Sequence, residues 1–211
     1  MRYSSFILTA LAAGLVAAPA LAQPAAPFTG VRVEGLLGYE SDDFTGESTS
    51  GLLYGAGAGF DFQAGGTTLG VEAELSKSEA DGCTANFRGT AGRLCANPGR
   101  DLYVGARAGA MVGPATLLYA KLGYTNARLN TRFSTGTPGA EVERRFTLKG
   151  FRVGAGTEFA LGTNSFLKAE YRYSNYGEGD DFVGGNALAP VFLAGDSQVK
   201  HQLVGGFGFR F

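Results

Sequence analysis

The chain has 211 residues, of which 34 are glycine, 16 phenylalanine and 9 tyrosine, and its formal net charge is −1. Glycine at about 16% far exceeds its usual share of roughly 7%, and because a glycine inside a helix costs about 1 kcal/mol relative to alanine, this composition excludes a helical bundle. The aromatic content disfavours a disordered chain, and the near-neutral charge gives no electrostatic footprint for nucleic acid, so we expect no nucleic-acid partner.

Residues 1–22 have the features of a secretory signal peptide. Arg2 supplies a positive charge, an apolar stretch follows from Phe6 to Ala18, and the small residues Ala20 and Ala22 fit an A-x-A cleavage site. A membrane anchor is the alternative, but the apolar stretch is shorter than the ~20 residues that a spanning helix needs. We therefore predict cleavage after Ala22, a short periplasmic segment over 23–30 and one folded domain over 31–211.

Beyond this segment, apolar and polar residues alternate with a period of two, which indicates β-strands with two different faces. In each stretch one face is aliphatic or aromatic, and the other carries glycine and charged residues. The alternating stretches are, in chain order, 31–40, 54–62, 69–76, 102–110, 118–125, 151–159, 167–174 and 199–211. These eight strands are each near the length needed to cross a bilayer at a tilt.

The connections between the predicted strands alternate between short and long. The short ones, at 64–66, 113–115 and 162–164, contain the glycine, proline and asparagine of tight turns. The long ones are predicted at about 41–51, 80–100, 134–143 and 177–197. Short turns at one end and long loops at the other are typical of an up-and-down outer-membrane barrel, whose short turns face the periplasm.

A soluble eight-stranded barrel also alternates, but it buries its apolar face. Here the polar face mixes full charges with glycine, which weakens strands and is unusual on a solvent-facing sheet surface. Aromatic residues cluster towards the strand ends as two membrane-interface girdles would require, with Phe28, Phe60, Phe62, Phe159, Phe166, Phe209 and Phe211 at one end and Tyr39, Tyr54, Phe133, Phe146, Tyr173 and Tyr176 at the other. We therefore predict an all-β fold, an eight-stranded antiparallel up-and-down transmembrane β-barrel in the cell outer membrane.

Two segments carry a resemblance to a known family. The segments 170–177 (EYRYSNYG) and 205–211 (GGFGFRF) resemble the small eight-stranded outer-membrane barrels, which include the OmpA transmembrane domain and the opacity-type surface antigens often labelled porin family. The resemblance covers about 30–211. It implies that Phe207, Phe209 and Phe211 form the C-terminal signal that the barrel-assembly machinery reads, and that outer-membrane lipid and lipopolysaccharide surround the barrel.

The charged faces of the predicted strands point into the barrel. The interior then receives eight basic and six acidic side chains: Arg32, Arg107, Lys121, Arg152, Lys168, Arg172, Lys200 and Arg210, with Glu34, Asp61, Glu72, Glu74, Glu158 and Glu170. Eight strands leave an interior just wide enough for side chains to fill, and isolated ions there would be costly, so we expect a paired network that plugs the lumen. The alternative is a narrow, low-conductance porin with a charged constriction.

The long connections are the predicted sites of surface interaction with an unidentified extracellular ligand, displayed by a monomer. Cys83 and Cys95 both lie in the second of them, and in an exported chain they are expected to form a disulfide. Carboxylates at 42–43 and 180–181 could bind Ca²⁺ or simply keep the loops solvated, and no EF-hand spacing is present. We predict no metal site and no cofactor.

An enzymatic function is the second alternative, because some eight-stranded barrels modify lipid A. The lipid A deacylase type uses a His-x-Ser-Asn motif on a strand, and residues 172–175 have arginine where that histidine stands. Arginine stays protonated and cannot act as a general base. His201 is predicted on the outward face, so it could reach Ser174 only in a different strand register. We predict that the protein is not an enzyme.

Overall fold

The computed structural model describes residues 27–44, 47–80, 82–85, 93–134, 141–177, 181–182 and 198–211. The predicted signal peptide and residues 23–26 of the predicted segment 23–30 lie outside these residues. The strands are β1 (Gly30–Phe44), β2 (Glu47–Ala64), β3 (Thr67–Ser78), β4 (Gly82–Ala85), β5 (Arg93–Gly113), β6 (Thr116–Ser134), β7 (Glu141–Ala160), β8 (Ser165–Tyr176), β9 (Asp181–Phe182) and β10 (Gln198–Arg210). Within the described ranges, no helix is long and apolar enough to cross a membrane.

The long strands form one closed antiparallel barrel. Their order is β3-β2-β1-β10-β8-β7-β6-β5, and β5 pairs with β3 to close the circle. The first and last of them, β1 and β10, pair continuously from Arg32 opposite Arg210 to Asp43 opposite Val199. Among the described residues, eight strands therefore form an up-and-down barrel, which confirms the predicted fold class.

The two ends of the barrel differ. At one end, called the turn end, the turns at 65–66, 114–115 and 161–164 connect neighbouring strands. At the other, called the loop end, β5, β6 and β7 extend beyond the rest, since they have 21, 19 and 20 residues against 12 in β3 and 13 in β10. Residues 93–98, 129–134 and 141–146 of these strands, together with β4 and β9, form a projecting layer that we call the raised sheet.

The raised sheet corrects the predicted connections. Residues 82–85, 93–100 and 141–143, which were expected in the loops at 80–100 and 134–143, are strand, and in the same way β1 and β2 continue into the loop expected at 41–51. Beyond the barrel wall the exposed positions are polar, as at Asn97, Asn130 and Arg132. The apolar outward face that delimits the predicted barrel strands therefore ends before these residues, and the pattern placed them in loops.

The apolar face of every barrel strand points outward. Val71 on β3, Val104 on β5 and Leu203 on β10 are 60%, 62% and 65% exposed, whereas the charged residues next to them in sequence are buried. A contiguous apolar surface of this size is not stable in water and marks contact with a membrane. The interior is polar, as in outer-membrane barrels.

Three residues of the predicted aromatic girdles point inward instead, which corrects that expectation. Phe28 and Tyr176 are 0% exposed and Phe166 is 1% exposed. Phe166 and Tyr176 have the same strand parity as Lys168 and Arg172, so alternation itself places them inside. Outward aromatic residues do lie at both ends, with Phe60, Phe62, Phe159, Phe209 and Phe211 at the turn end and Tyr39, Tyr54 and Tyr173 at the loop end. The side chains of Phe133 and Phe146 lie outside the described part.

Candidate functional site: the charge network of the barrel interior

The barrel interior contains equal numbers of acidic and basic side chains. All fourteen predicted interior charges are buried, and Glu40 and Asp101 join them. In the described part of the chain, the buried charges are thus eight basic and eight acidic, none more than 8% exposed. Sequence reasoning omitted Glu40 and Asp101, although Glu40 continues the inward alternation of Arg32 and Glu34 and Asp101 lies two residues before the inward Tyr103.

At the turn end, Asp61 accepts hydrogen bonds from three arginines. Arg32 Nε lies 3.0 Å from Asp61 Oδ2, Arg210 Nη2 also lies 3.0 Å away, and Arg107 donates from Nε at 2.8 Å and from Nη2 at 2.6 Å. Glu158 pairs with two of the same arginines, at 2.9 Å from Arg107 and 2.8 Å from Arg210. We call Asp61, Glu158 and these three arginines the Asp61 centre.

The middle of the barrel contains a second group of linked ion pairs. Lys121 Nζ lies 3.0 Å from Glu72, 2.8 Å from Glu74 and 2.8 Å from Glu170. Arg172 pairs with both Glu74 and Glu170. Lys168 lies 2.7 Å from Glu34, and the Tyr119 hydroxyl donates to Glu170 at 2.6 Å. Arg32 also pairs with Glu72, so this group is joined to the Asp61 centre.

Towards the loop end, the network continues through Arg152 and Asp101. Arg152 Nη2 lies 2.5 Å from Asp101 Oδ2, and Arg152 Nε donates to Ser174 Oγ at 2.7 Å. The hydroxyl groups of Thr125 and Tyr176 donate to Asp101 at 2.7 and 2.8 Å. A further ion pair lies nearby, because Lys200 Nζ is 2.9 Å from Glu40 Oε1. Paired polar groups therefore extend along the whole described interior.

Apolar residues pack inside both ends of the barrel. At the turn end, the Arg210 guanidinium lies between the rings of Phe28 and Phe166, at 5.5 and 5.2 Å from their centroids. The backbone N–H of Phe28 donates to Gln63 Oε1 at 3.1 Å, which holds the segment before β1 across this opening. Nearer the loop end, one buried cluster consists of Leu36, Leu53 and Val204, and another of Ala127, Leu148 and Tyr176.

Inward glycines leave room for the long charged side chains. A β-carbon at Gly206 would lie 2.9 Å from Lys168 Cγ, and one at Gly154 would lie 3.2 Å from Lys121 Cγ. A larger residue at either position would press on the lysine side chain beside it. The high glycine content is thus partly a consequence of a charged interior.

The remaining candidate residues lie outside the interior network. Cys83 and Cys95 are disulfide-bonded, with Cα atoms 4.1 Å apart, and join β4 to β5 in the raised sheet. Ser174 points inward to Arg152, whereas His201 points outward, where its Nδ1 lies 2.6 Å from the Tyr171 hydroxyl. The serine and the histidine therefore do not meet. The side chains of the acidic pairs at 42–43 and 180–181 lie outside the described residues.

The arrangement is suited to stability rather than to chemistry. Burying an unpaired charge costs several kcal/mol, and pairing with well-placed hydrogen bonds offsets this cost. Among the described side chains, no group of three or more His, Cys, Asp or Glu could hold a metal ion. The carboxylates are instead engaged by arginine and lysine.

Comparisons with known proteins agree with this architecture. A family model described as the outer membrane protein β-barrel domain matches residues 8–211. The 31 kDa outer-membrane immunogenic proteins of Brucella melitensis and Brucella suis are 27% identical over 135 residues, which are 62% of this chain and 56% of each relative. The chain therefore spans little more than half the length of these curated relatives.

Two solved structures are also similar. Neisserial surface protein A superposes with a TM-score of 0.54 at 17% identity, over 87% of this chain and 98% of that one. The attachment invasion locus protein Ail of Yersinia pestis superposes with a TM-score of 0.49 at 17% identity, over 87% of this chain and 99% of that one. At this identity, the likeness to the Neisserial protein is a likeness of fold alone.

Proposed function

Because the chain belongs to the outer-membrane β-barrel family and is a protein of the cell outer membrane, we propose that it is a monomeric structural and surface-interaction protein whose lumen is closed by its charge network. The observation that carries this proposal is the set of eight basic and eight acidic side chains buried in the described interior. The turn end faces the periplasm and the raised sheet faces the outside.

Two features support a closed lumen, the width of the barrel and the pairing of its charges. An eight-stranded barrel has an interior that side chains fill, whereas aqueous channels belong to barrels of about 16–18 strands. Arg152, Lys168 and Arg172 are each 4% exposed or less, and all three have acidic partners across the interior. An ion that crossed the barrel would have to separate such pairs, and breaking one buried pair costs about 3–5 kcal/mol.

A narrow porin is the second candidate function. The observation in its favour is the unbroken series of polar groups from Arg210 at the turn end to Lys200 at the loop end. The two functions differ in ion current through single molecules. A porin gives a steady open level, whereas a closed lumen gives none.

The raised sheet is the proposed contact surface for an extracellular ligand. Its strands expose polar and charged side chains, among them Asn97, Asn130 and Arg145. An exposed ion pair joins Arg132 to Glu143 across β6 and β7 at 2.5 Å. The Cys83–Cys95 disulfide joins β4 to β5. In the chain-entropy model, closing a loop of this size lowers the entropy of the unfolded chain and stabilises the folded state by about 3 kcal/mol.

Thiol labelling of intact cells tests the exposure of the raised sheet. We expect a membrane-impermeant maleimide to leave the protein unlabelled until a reductant opens the Cys83–Cys95 bond, and then to label both cysteines. The control is Ala115→Cys in a C83S/C95S background, which puts a thiol in a turn at the opposite end. That thiol should react only after the cells are disrupted. Labelling of Ala115→Cys in intact cells would reverse the proposed orientation, and two reactive thiols without reductant would refute the disulfide.

The C-terminal strand is the proposed point of contact with the barrel-assembly machinery. Phe207, Phe209 and Phe211 lie on its outward face, at 46%, 47% and 75% exposure. The backbone N–H of Phe211 donates to the Val31 carbonyl at 2.8 Å, so this strand closes the barrel against β1. Outward aromatic side chains on the closing strand are accessible to a partner before closure.

We propose no catalytic role. Ser174 belongs to the interior network, where its hydroxyl oxygen accepts a hydrogen bond from Arg152, and His201 lies on the outer side of the barrel wall. Acid–base catalysis needs the two groups within hydrogen-bond reach of one another. Alternation on β8 and β10 keeps them apart.

A further inference from the structure

Outward-facing basic residues of the barrel wall are confined to one side of the loop end. In the described wall below the raised sheet, they are Lys77 on β3, Arg100 on β5, Arg128 on β6 and Lys149 on β7. The described outward positions of β1, β2, β8 and β10 contain no lysine or arginine, and neither does the turn end of any strand. The basic residues therefore meet only one leaflet of the membrane.

Two of these residues face each other without an acidic partner. Lys77 lies directly opposite Arg100 in the β3–β5 pairing. Arg128 is adjacent, since a β-carbon at Gly99 would lie 3.0 Å from Arg128 Cβ. Among the described residues, none of the three forms an ion pair, and Arg100 Nη1 is shielded from solvent without a hydrogen-bond partner. Like charges opposite one another destabilise a sheet, so this cluster is suited to an anion from outside the chain.

An apolar groove begins at the same two residues. It has a volume of about 1400 Å³, and Lys77 and Arg100 form part of its lining. Its lining includes the small outward residues Gly35, Ala56 and Gly205 and the larger outward residues Leu37, Leu75 and Phe207. An added β-carbon at Gly35 would have no atom within 4 Å, so there is open space over this position. The site thus combines a cationic end with an apolar channel on the membrane-facing surface.

We propose that this site binds a lipid A molecule of the outer leaflet, with a phosphate on Lys77 and Arg100 and an acyl chain in the groove. Arginine and lysine bind phosphate through charge-assisted hydrogen bonds, and the groove supplies apolar contact. The basic residues lie only at the loop end, which faces the outside in the proposed orientation. They therefore contact the outer leaflet, whose phosphorylated lipid is lipid A. The inference rests on the proposed orientation, but not on the closed lumen.

Lipid binding to the purified, folded protein in detergent tests the proposal. Native mass spectrometry would measure the binding of bis-phosphorylated lipid A, dephosphorylated lipid A and phosphatidylglycerol. Each basic residue near a membrane surface contributes about 1 kcal/mol, so K77Q/R100Q should bind phosphorylated lipid A about 30-fold more weakly than the wild type. The matched control R93Q/R145Q removes two exposed charges from the raised sheet and should leave this affinity unchanged.

A second variant addresses the groove. Gly35→Leu puts a side chain into the groove at a position whose β-carbon would have no atom within 4 Å, and it keeps both cations, so it should weaken binding of both forms of lipid A. Heat-modifiable migration on gels would show that each variant is folded. Unchanged lipid A binding in K77Q/R100Q, an equal loss in R93Q/R145Q, or equally tight binding of phosphatidylglycerol would overturn the proposal. The closed lumen is tested by ion current and not by lipid binding, so none of these results would count for or against it.

Discussion

Replacing Asp61 by alanine should lower the free energy of unfolding by about 3–5 kcal/mol, because it leaves buried arginines without their shared partner. Asp61 accepts hydrogen bonds from Arg32, Arg107 and Arg210, all within 3.0 Å. Glu158 still pairs with two of these arginines and cannot balance all three charges. Urea unfolding of the protein in lipid vesicles, monitored by far-UV circular dichroism, would measure the change.

The control for Asp61→Ala is an exposed carboxylate. Glu143→Gln removes a carboxylate from an ion pair whose side chains are 59% and 63% exposed. Exposed pairs contribute at most about 1 kcal/mol, so this variant should unfold almost as the wild type does. If the two substitutions lowered the free energy of unfolding equally, the buried Asp61 centre would contribute no more to stability than an exposed ion pair does.

Replacing Gly123 by alanine should destabilise the barrel by about 3 kcal/mol through overpacking. Gly123 faces inward opposite Gly105, and a β-carbon there would lie 2.5 Å from Gly105 Cα and 2.7 Å from Tyr103 Cε2. It would also contact the Val104 carbonyl oxygen, and backbone atoms cannot move aside as a side chain can. The adjacent strand would have to shift, which would disturb Tyr103 and the Lys121 ammonium 4.5 Å from its ring.

Gly35→Ala is the matched control, because its added carbon would face the membrane with no atom within 4 Å. This variant should be neutral or slightly stabilising, since alanine reduces the entropy of the unfolded chain. Parallel urea titrations of the two variants would make the comparison. A Gly123→Ala protein as stable as Gly35→Ala would contradict the close packing of β5 against β6.

Period-two alternation was sufficient to predict the faces of the barrel strands. On β8 it placed Lys168, Glu170 and Arg172 inside and Leu167 and Tyr171 outside, as the structure has them. The partners of these charges could not be predicted in the same way. Lys168 pairs with Glu34, 134 residues earlier, and that pairing depends on how the strands stagger around the closed barrel rather than on any local pattern.

Alternation did not predict the strand segments beyond the barrel wall. Residues 141–146 of β7 lie in the raised sheet, past the apolar outward stretch that marked the barrel strand. Phe28 is a different case, because it precedes the first strand and its inward direction depends on contacts with Gln63 and Arg210. These contacts join residues far apart in sequence, so they become visible only in the folded chain.

Single-channel recording tests the closed lumen most directly. Folded monomers in a planar bilayer should show no stable open level, whereas a variant lacking both Arg152 and Lys168 should conduct, because it removes two cations that form ion pairs in the described interior. Arg132→Ala, on the exposed raised sheet, should behave like the wild type. Steady nanosiemens openings from wild-type monomers would contradict the account and establish a porin.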